Sequence, residues 1–408
     1  MLRQADSKSD LSLKASIEDN LGAALTNVGE FGFATYLDEA VTVFRAALRE
    51  PGSLRDPVFS AVVQTNMGVA LHELGVARND KALLHRAAAE YRSALSALDP
   101  QCQPSKWVYA QYNLAAALFL LGDEDHSTAE VEDSIIASRA ALSLPEGNTA
   151  LSSAAAKVKI AQAEWVLGKW NSDAHLLDES ISDFRSALPA LRAGPIHDWA
   201  AEENSLGNAL LALANLDPGS RDLYSREAIK AYETPLTDTL KAKDPTMWAE
   251  IDDSAGSALQ TLGNEEGQTA DLTEAISAYG QAEVVWKNRN RTKEAAADEL
   301  ATGVSFTDLY RITGKVSDLT ASVTEFRTAL KSIEPRRDAY LFGAAQLDLA
   351  NSLYSQGMNQ HSGTILFEAS VTYDAAATAF AGARMHDASA HARSLMQQAY
   401  SASQQYSK

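Results

Sequence analysis

Cysteine and histidine, two residue types that often catalyse reactions or bind metals, are few and scattered in this 408-residue sequence. Its single cysteine, Cys102, lies beside prolines in a predicted turn, with no histidine nearby to activate it. His386 and His391 are five residues apart, a spacing that does not place them on one helix face. His72 falls in a predicted helix and is expected to be an ordinary surface residue. We therefore predict no catalytic residue, no metal site and no cofactor.

Sequence motifs of known chemistry do not occur either. The chain has no Gly-rich phosphate loop, no G-x-S-x-G elbow and no H-E-x-x-H motif. The acidic segments GDEDHS (122–127) and GNEEGQTAD (263–271) lack the alternating oxygen ligands and final Glu of a calcium loop. We interpret both segments as solvated turns, and the sequence favours a protein that is not an enzyme.

Asparagine side chains recur at a regular spacing and offer a different chemistry. Asn20, Asn66 and Asn113 lie 46 and 47 residues apart. An amide side chain can both donate to and accept from a peptide backbone, so a row of such groups could hold an extended chain. The alternative is that each amide simply bonds a neighbouring helix. The choice depends on the elements that position these residues.

The asparagines belong to a repeated segment that opens with Trp in three of its copies. WVYAQYNLAAALFLLG begins at Trp107, WAAEENSLGNALLAL at Trp199 and WAEIDDSAGSALQTLG at Trp248. Self-similarity at a fixed period is typical of a repeat architecture. A residue that we call the closing residue ends each copy, at intervals of 43 to 51 residues: Gly29, Gly75, Gly122, Gly168, Ala214, Gly263, Gly314 and Gly357.

A second motif follows in most repeats. LDEAVTVFRAAL begins at Leu37, LHRAAAEYRSAL at Leu84 and LDESISDFRSAL at Leu177. Within it a small residue is followed four positions later by an aromatic, as in Ala40 and Phe44. Apolar residues in both motifs recur at helical spacing. Each repeat is therefore predicted to consist of two amphipathic helices, a first and a second helix.

Small residues predict how the two helices of a repeat pack. Gly or Ala in the first helix would let two backbones approach, with the aromatic beside them, and a closing glycine suits the left-handed residue that ends a helix. Ser134 and Ser138 replace the small and aromatic residues in repeat three, and repeat seven is predicted to have a loop shortened by about four residues. We call the position seven residues before each closing residue the small slot: Gly22, Gly68, Ala115, Ala161, Gly207, Gly256, Thr307 and Ala350.

This pattern, a small residue followed by small-x-x-x-aromatic and then by Pro, resembles the tetratricopeptide repeat. The resemblance covers residues 12–382, although the repeat here is about 46 residues long instead of about 34. It implies an all-α fold, a right-handed α-solenoid of about eight helix pairs and a C-terminal capping helix. The prediction is one solenoid over 1–408, with repeats at 12–50, 56–99, 104–144, 151–192, 197–240, 245–287, 293–333 and 337–382 and a cap at 384–404.

In tetratricopeptide proteins the first helices line a concave groove that holds extended peptides or partner helices. The resemblance implies that residues flanking the small slot face such a ligand. Phe119 and Trp165 could equally be core residues at the interface with the next repeat. The predicted groove residues are Asn20, Asn66, Tyr109, Tyr112, Asn113, Phe119, Lys159, Gln162, Trp165, Asn208, Arg311, Asn351 and Tyr354.

Composition restricts the class of partner. With 46% hydrophobic and 22% charged residues, the chain can bury a core and is not disordered. Its net charge of −19 would repel phosphate backbones and anionic lipids, so we expect neither nucleic acid nor membrane as a partner. The N-terminus lacks the apolar core of a signal peptide, and one cysteine cannot form an internal disulfide. We expect a cytoplasmic location.

The leading functional hypothesis is a non-catalytic scaffold for protein–protein interaction that binds a peptide or protein in its groove. The alternative is a regulatory or sensor module of a larger signalling system, whose array binds a ligand or an intramolecular partner. Repeat sequence encodes packing more than specificity, so it names neither the partner nor the oligomeric state.

Overall fold

The computed structural model describes residues 2–29, 32–51, 53–144 and 147–407, with side chains from Leu13 onward. Over these ranges the chain forms α-helices joined by short connections and contains no strand. The predicted all-α helical-repeat fold is confirmed. Contacts group the chain into two compact units, unit 1 (Met1–Leu216) and unit 2 (Asp217–Lys408), which are described separately.

Unit 1 is a stack of helix pairs. Each odd-numbered helix, the first helix of a repeat, packs against the even-numbered second helix that follows, which in turn packs against the next first helix. The helices are α1 (Leu2–Gly29), α2 (Ala34–Arg49), α3 (Pro57–Arg78), α4 (Lys81–Ala97), α5 (Pro104–Asp125), α6 (Thr128–Leu142), α7 (Ala150–Asn171), α8 (Ala174–Leu191) and α9 (Ile196–Leu216).

Unit 2 also consists of packed helix pairs. Its helices are α10 (Arg221–Glu233), α11 (Asp238–Lys243), α12 (Pro245–Glu266), α13 (Thr269–Asn288), α14 (Thr292–Thr313), α15 (Val316–Ala329), α16 (Ala339–Asn359), α17 (Gly363–Gly382) and α18 (His386–Tyr406). The pairs are α12 with α13, α14 with α15, and α16 with α17. The final helix, α18, packs on α17, and the Ser389 hydroxyl donates to the Ala377 carbonyl at 2.8 Å. This is the position that the sequence predicts for a capping helix, and the capping role itself stays a prediction.

The contact between the small slot and the aromatic residue holds the two helices of a pair close together. A Cβ atom added to Gly68 would lie 2.5 Å from the ring of Tyr91, and one added to Gly22 would lie 2.6 Å from the ring of Phe44. Both rings are fully buried. A glycine inside a helix costs about 1 kcal/mol relative to alanine. Here it gives the aromatic ring the space that a methyl group would occupy.

Apart from Gly314, the closing glycines are not the left-handed residues predicted from the sequence. Gly75 lies inside α3, where a Cβ atom would come within 2.9 Å of Leu84 on α4. The left-handed residue is Asn79, four positions later, with φ 51°. The closing glycine is therefore a second close-packing position, one turn before the helix ends. The equivalent left-handed residues of other repeats are His126, Ser172, Gly267 and His361.

The predicted alignment of repeat seven is wrong by one helical turn. Gly314 has φ 69° and ends α14, so it corresponds to the left-handed residues and not to the closing glycines. The small slot against Phe326 is Gly303, where a Cβ atom would lie 2.8 Å from the ring, instead of Thr307. Glycine suits both kinds of position, so the sequence pattern chose the wrong one. With Gly303 as the slot, repeat seven has no shortened loop.

Candidate functional site

The first helices of unit 1 form a continuous surface that we call the first-helix face. In addition to packing on second helices, α1 contacts α3, α3 contacts α5, α5 contacts α7, and α7 contacts α9. Side chains cross these junctions. For example, the Asn66 amide on α3 donates to the Asp19 carboxylate on α1 at 3.0 Å. This face is the surface on which the sequence predicts a ligand-binding groove.

The three regularly spaced asparagines have different environments on the first-helix face. Asn66 is half-buried and bonds a neighbouring helix through Asp19. The Asn113 amide donates to the backbone carbonyl of Tyr109, one turn earlier on its own helix, at 2.8 Å. Asn20 is exposed. The neighbouring-helix alternative therefore describes Asn66, while peptide binding by these amides stays a prediction.

A polar side-chain chain links α7 to α9. The Lys159 ammonium donates to the Gln162 side-chain oxygen at 2.8 Å, and the Gln162 amide nitrogen donates to both Glu202 oxygens at 3.2 and 3.0 Å. Gln162 thus lies between a cation and an anion and bonds both. Burial lowers the pKa of Lys159 and raises the pKa of Glu202, and the attraction between the two opposes both shifts.

Beside these groups a cavity of two adjoining parts opens between α5, α7 and α9. The polar part has a volume of about 450 Å³ and is lined by Lys159, Asp198 and Glu202 among others. The apolar part has a volume of about 360 Å³. Side chains of Tyr112, Leu151 and Ala155 line both parts and join them. The apolar part is completed by Ser105, Val108, Tyr109, Ala141, Gly147, Thr149, Ser152 and Ala156.

Local sequence fixes the start of α7 at this cavity. Thr149 caps the helix: its hydroxyl accepts from the Ser152 backbone N–H at 3.0 Å, and the Ser152 hydroxyl accepts from the Thr149 N–H at 2.7 Å. The Asn148 side chain donates to the carbonyls of Ala141 and Leu144, which holds the connection from α6. Hydrogen bonds therefore hold the start of α7 on both sides, and they fix the position of the first helical turn, which carries Leu151.

Tyr112 is the central residue of the cavity. Its side chain lines both parts, and burial, followed by the charges of Glu202 and Asp198, raises the pKa of its hydroxyl. The hydroxyl therefore stays protonated at neutral pH and can donate a hydrogen bond. Tyr109, one turn earlier, is 49% exposed and extends the apolar lining towards Asn66. The arrangement suits a ligand with an apolar group and a nearby polar group.

Phe119 and Trp165 contribute to packing between α5, α6 and α7. Both are half-buried and pack against an apolar cluster that includes Val131 and Ile160. The Lys159 ammonium lies 5.9 Å from the centre of the Phe119 ring. The Trp165 indole N–H is buried without a hydrogen-bond partner. The core alternative stated from the sequence thus has structural support, and a binding role for the two aromatics stays a prediction.

The remaining predicted groove residues lie outside the cavity. Asn208 is half-buried on α9. In unit 2 the side-chain oxygen of Asn351 accepts from the Tyr373 hydroxyl at 2.7 Å, and Tyr354 packs beside the apolar cluster of α16 and α17. Arg311 is exposed and pairs with Asp308 at 3.4 Å. Its assignment rested on Thr307 as the small slot, so the corrected alignment removes the basis for it.

Two residues considered for chemistry have environments that the structure defines. His72 is half-buried, which corrects the predicted surface role, and burial lowers its pKa to about 4, so the ring is neutral at pH 7. The Cys102 thiol is exposed and donates to Asp99 at 3.3 Å, which raises its pKa and makes it a poor nucleophile. Among the residues described, no three His, Cys, Asp or Glu side chains form a metal-binding group. None of the described helices is both long and apolar enough to cross a membrane.

The sequence pattern missed the cavity residues Leu151, Asp198 and Glu202. Expected ligand contacts were placed around the middle of each first helix, beside the small slot. The cavity lies closer to the beginnings of α5, α7 and α9, and of the predicted groove residues only Tyr109, Tyr112 and Lys159 line it. One signal was available: Tyr109, Tyr112 and Leu151 place large apolar side chains near helix starts, away from the buried stripe.

Comparison with known proteins supports the fold. No protein-family model matches the chain, and no curated protein matches its sequence. Among solved structures, the chain is similar to the apo form of RapI, with a TM-score of 0.50 and 11% identity over 94% of this chain and 97% of that chain. A Rap protein complexed with competence and sporulation factor gives a TM-score of 0.43 and 12% identity over 97% of this chain and 99% of that chain. The structure of yeast Tom70 gives a TM-score of 0.19 and 16% identity over 94% of this chain and 96% of that chain.

At 11% identity, the similarity to RapI concerns the fold alone. Together with the small-slot and aromatic contacts, it shows that the chain has a tetratricopeptide-like helical-repeat fold.

Proposed function

We propose that the chain is a non-catalytic interaction scaffold that binds an extended peptide segment of a protein partner on the first-helix face of unit 1. The observation that carries this proposal is the two-part cavity between α5, α7 and α9. Ligand sites are concave and mostly apolar, with a few polar groups that fix orientation. The cavity combines both properties at one place.

Each part of the cavity has a distinct role in this proposal. An aliphatic or aromatic side chain of the peptide enters the apolar part beside Val108 and Leu151, where burial contributes about 1.5–3 kcal/mol. Lys159 and Glu202 supply a donor and an acceptor for the peptide backbone or a polar side chain in the other part. Tyr112 contacts both.

The groups of the polar part are held in place before a ligand arrives. Gln162 bonds Lys159 on one side and Glu202 on the other, so neither long side chain has to be ordered on binding. The net charge of −19 supports a protein partner over nucleic acid or an anionic membrane.

Selection from a random dodecapeptide phage library on the intact chain tests the proposal. Affinities of enriched peptides are measured by fluorescence anisotropy, with melting temperatures recorded for each variant. Leu151→Glu should abolish binding because Leu151 is 47% exposed and lines both parts of the cavity. The matched control is Ile136→Glu on α6, where the side chain is 64% exposed and does not line the cavity. Equal binding by both variants would contradict the proposal.

A further inference from the structure

One side of α1 carries an exposed apolar stripe. Ile17, Leu21 and Val28 are 57, 49 and 44% exposed, and Ala24 between them is also exposed. Numbered from the small slot Gly22, the positions in chain order are −5, −1, +2 and +6 for Ile17, Leu21, Ala24 and Val28. These spacings place the four residues along one face of the helix. Large apolar groups in contiguous exposure mark an interaction surface.

The same positions are buried in the following first helices. In α3 they are Val63, Met67, Ala70 and Leu74, none more than 3% exposed. The corresponding residues of α5 and α7 are again alanine or aliphatic, and none is more than 7% exposed. The residue at position +2 is alanine in all four helices. By its sequence, α1 is an interior helix of the stack, although this face of it is uncovered.

In the interior of unit 1 this face is covered by the second helix of the preceding repeat. Phe44 and Ala47 of α2 belong to the same apolar cluster as Met67 and Leu74 of α3. The helices α4 and α5, and α6 and α7, contact each other in the same order. Ala70 is fully buried, and its small side chain allows the covering helix to approach closely.

We propose that the stripe formed by Ile17, Leu21, Ala24 and Val28 is a docking site for an amphipathic helix of a partner protein. That helix would present a surface like the one with which this chain's own second helices contact the next first helix. The interface between a second helix and the next first helix, which recurs inside unit 1, would then also form on α1. The equivalent face of α3, α5 and α7 is buried, so the stripe on α1 is expected to be covered in the same way.

A second copy of the chain is less suited to cover the stripe. The exposed side of α18, the last helix, carries polar residues such as Arg393, Gln397 and Gln404. Head-to-tail stacking would therefore oppose a polar surface to an apolar one. Pairing of α1 with α1 would oppose two first helices, whereas α3, α5 and α7 cover this face with second helices.

The first arm of the test uses a fluorescein-labelled peptide with the sequence of residues 80–103, which contains the second helix α4 and the turn before α5. Binding to the intact chain is followed by anisotropy. We expect saturable binding that Leu21→Glu weakens by about tenfold or more. Ile136→Glu, which places the same charge at an exposed position of α6, should leave the affinity for the peptide unchanged. Melting temperatures confirm that both variants fold.

Formation of a helix by an isolated peptide is unfavourable and would weaken its binding, and the second arm avoids this effect. Residues 80–103 are fused in front of residue 11, so that the added helix can fold back on α1. Hydrogen exchange of the α1 amides should slow by about tenfold or more, and Leu21→Glu should remove the effect. Unchanged exchange in this fusion would overturn the proposal. Sedimentation of the unaltered chain as a dimer that Leu21→Glu dissociates would also overturn it, in favour of a second copy.

Discussion

The hydroxyl of Ser134 on α6 donates a hydrogen bond to the backbone carbonyl of Ala115 on α5, at 2.8 Å. Ser134 takes the place of the small residue of the second helix in repeat three. Ser138, one turn later, takes the place of the aromatic. Its side chain is fully buried, but its hydroxyl has no hydrogen-bond partner. Two buried serines on one helix therefore differ in hydrogen bonding: the Ser134 hydroxyl has a partner and the Ser138 hydroxyl has none.

The first prediction compares these two serines. Ser134→Ala should lower the free energy of unfolding by about 0.5–1.5 kcal/mol, because a buried hydrogen bond is lost. Ser138→Ala removes a buried hydroxyl that has no partner and should leave stability unchanged or raise it by about 1 kcal/mol. Urea unfolding of the two variants measures the difference. Greater destabilisation by Ser138→Ala would show that its hydroxyl is bonded in solution.

The second prediction tests the corrected alignment of repeat seven. Gly303→Ala should destabilise unit 2 by about 1–3 kcal/mol, because the new methyl group would lie 2.8 Å from the buried ring of Phe326. Gly280→Ala is the matched control, since it lies inside α13 with no atom within 4 Å of the added methyl group. It should stabilise by up to about 1 kcal/mol through helix propensity. Thermal unfolding with the order reversed would restore Thr307 as the slot.

The third prediction concerns a carboxyl pair in unit 2. Asp298 is buried, and burial together with the neighbouring Asp253 raises its pKa to about 9. Unfolded aspartate has a pKa of about 3.9. Between these two pKa values the folded state therefore holds a proton that the unfolded state has already released. The free energy of unfolding should therefore fall as the pH rises from about 5 to about 9. Asp298→Asn should reduce this dependence, most clearly between about pH 7 and 9, because burial raises the pKa of Asp252 and of Glu164 only to about 7.

The control for the pH measurement is Asp374→Asn, which changes an exposed carboxylate on α17. Urea unfolding across the pH series, followed by helical circular dichroism, gives the slope for each variant. If Asp298→Asn retains the slope of the unaltered chain, another group is responsible for the pH dependence.

The fourth prediction concerns the capping helix. Removal of residues 384–408 should expose Phe380 and Ala377 on α17, which are now 3 and 1% exposed. It also removes the hydrogen bond from Ser389 to Ala377. Uncapped arrays lose solubility and stability. Light scattering should show association of the truncated chain, and its melting temperature should fall. A truncated chain that stays monomeric and melts at the same temperature would show that α18 is not a cap.

Helix pairing was predictable from the sequence because its determinants are local. The spacing of Leu37, Val41, Phe44 and Leu48 alone defines one face of a helix. A glycine eight residues after Trp248 indicates close approach to a partner helix without any knowledge of that partner. The helical-repeat fold therefore follows from short-range periodicity that repeats along the chain.

The tertiary structure decided which glycine serves which purpose and where a ligand site forms. Gly303 and Gly314 look alike in sequence, and only packing against Phe326 and a left-handed φ separate them. The cavity requires Leu151 on α7 and Glu202 on α9 to meet around Tyr112 on α5. Leu151 lies 39 residues after Tyr112, and Glu202 lies 51 residues after Leu151. Side chains so far apart in sequence are brought together only by the way in which the helices that carry them pack.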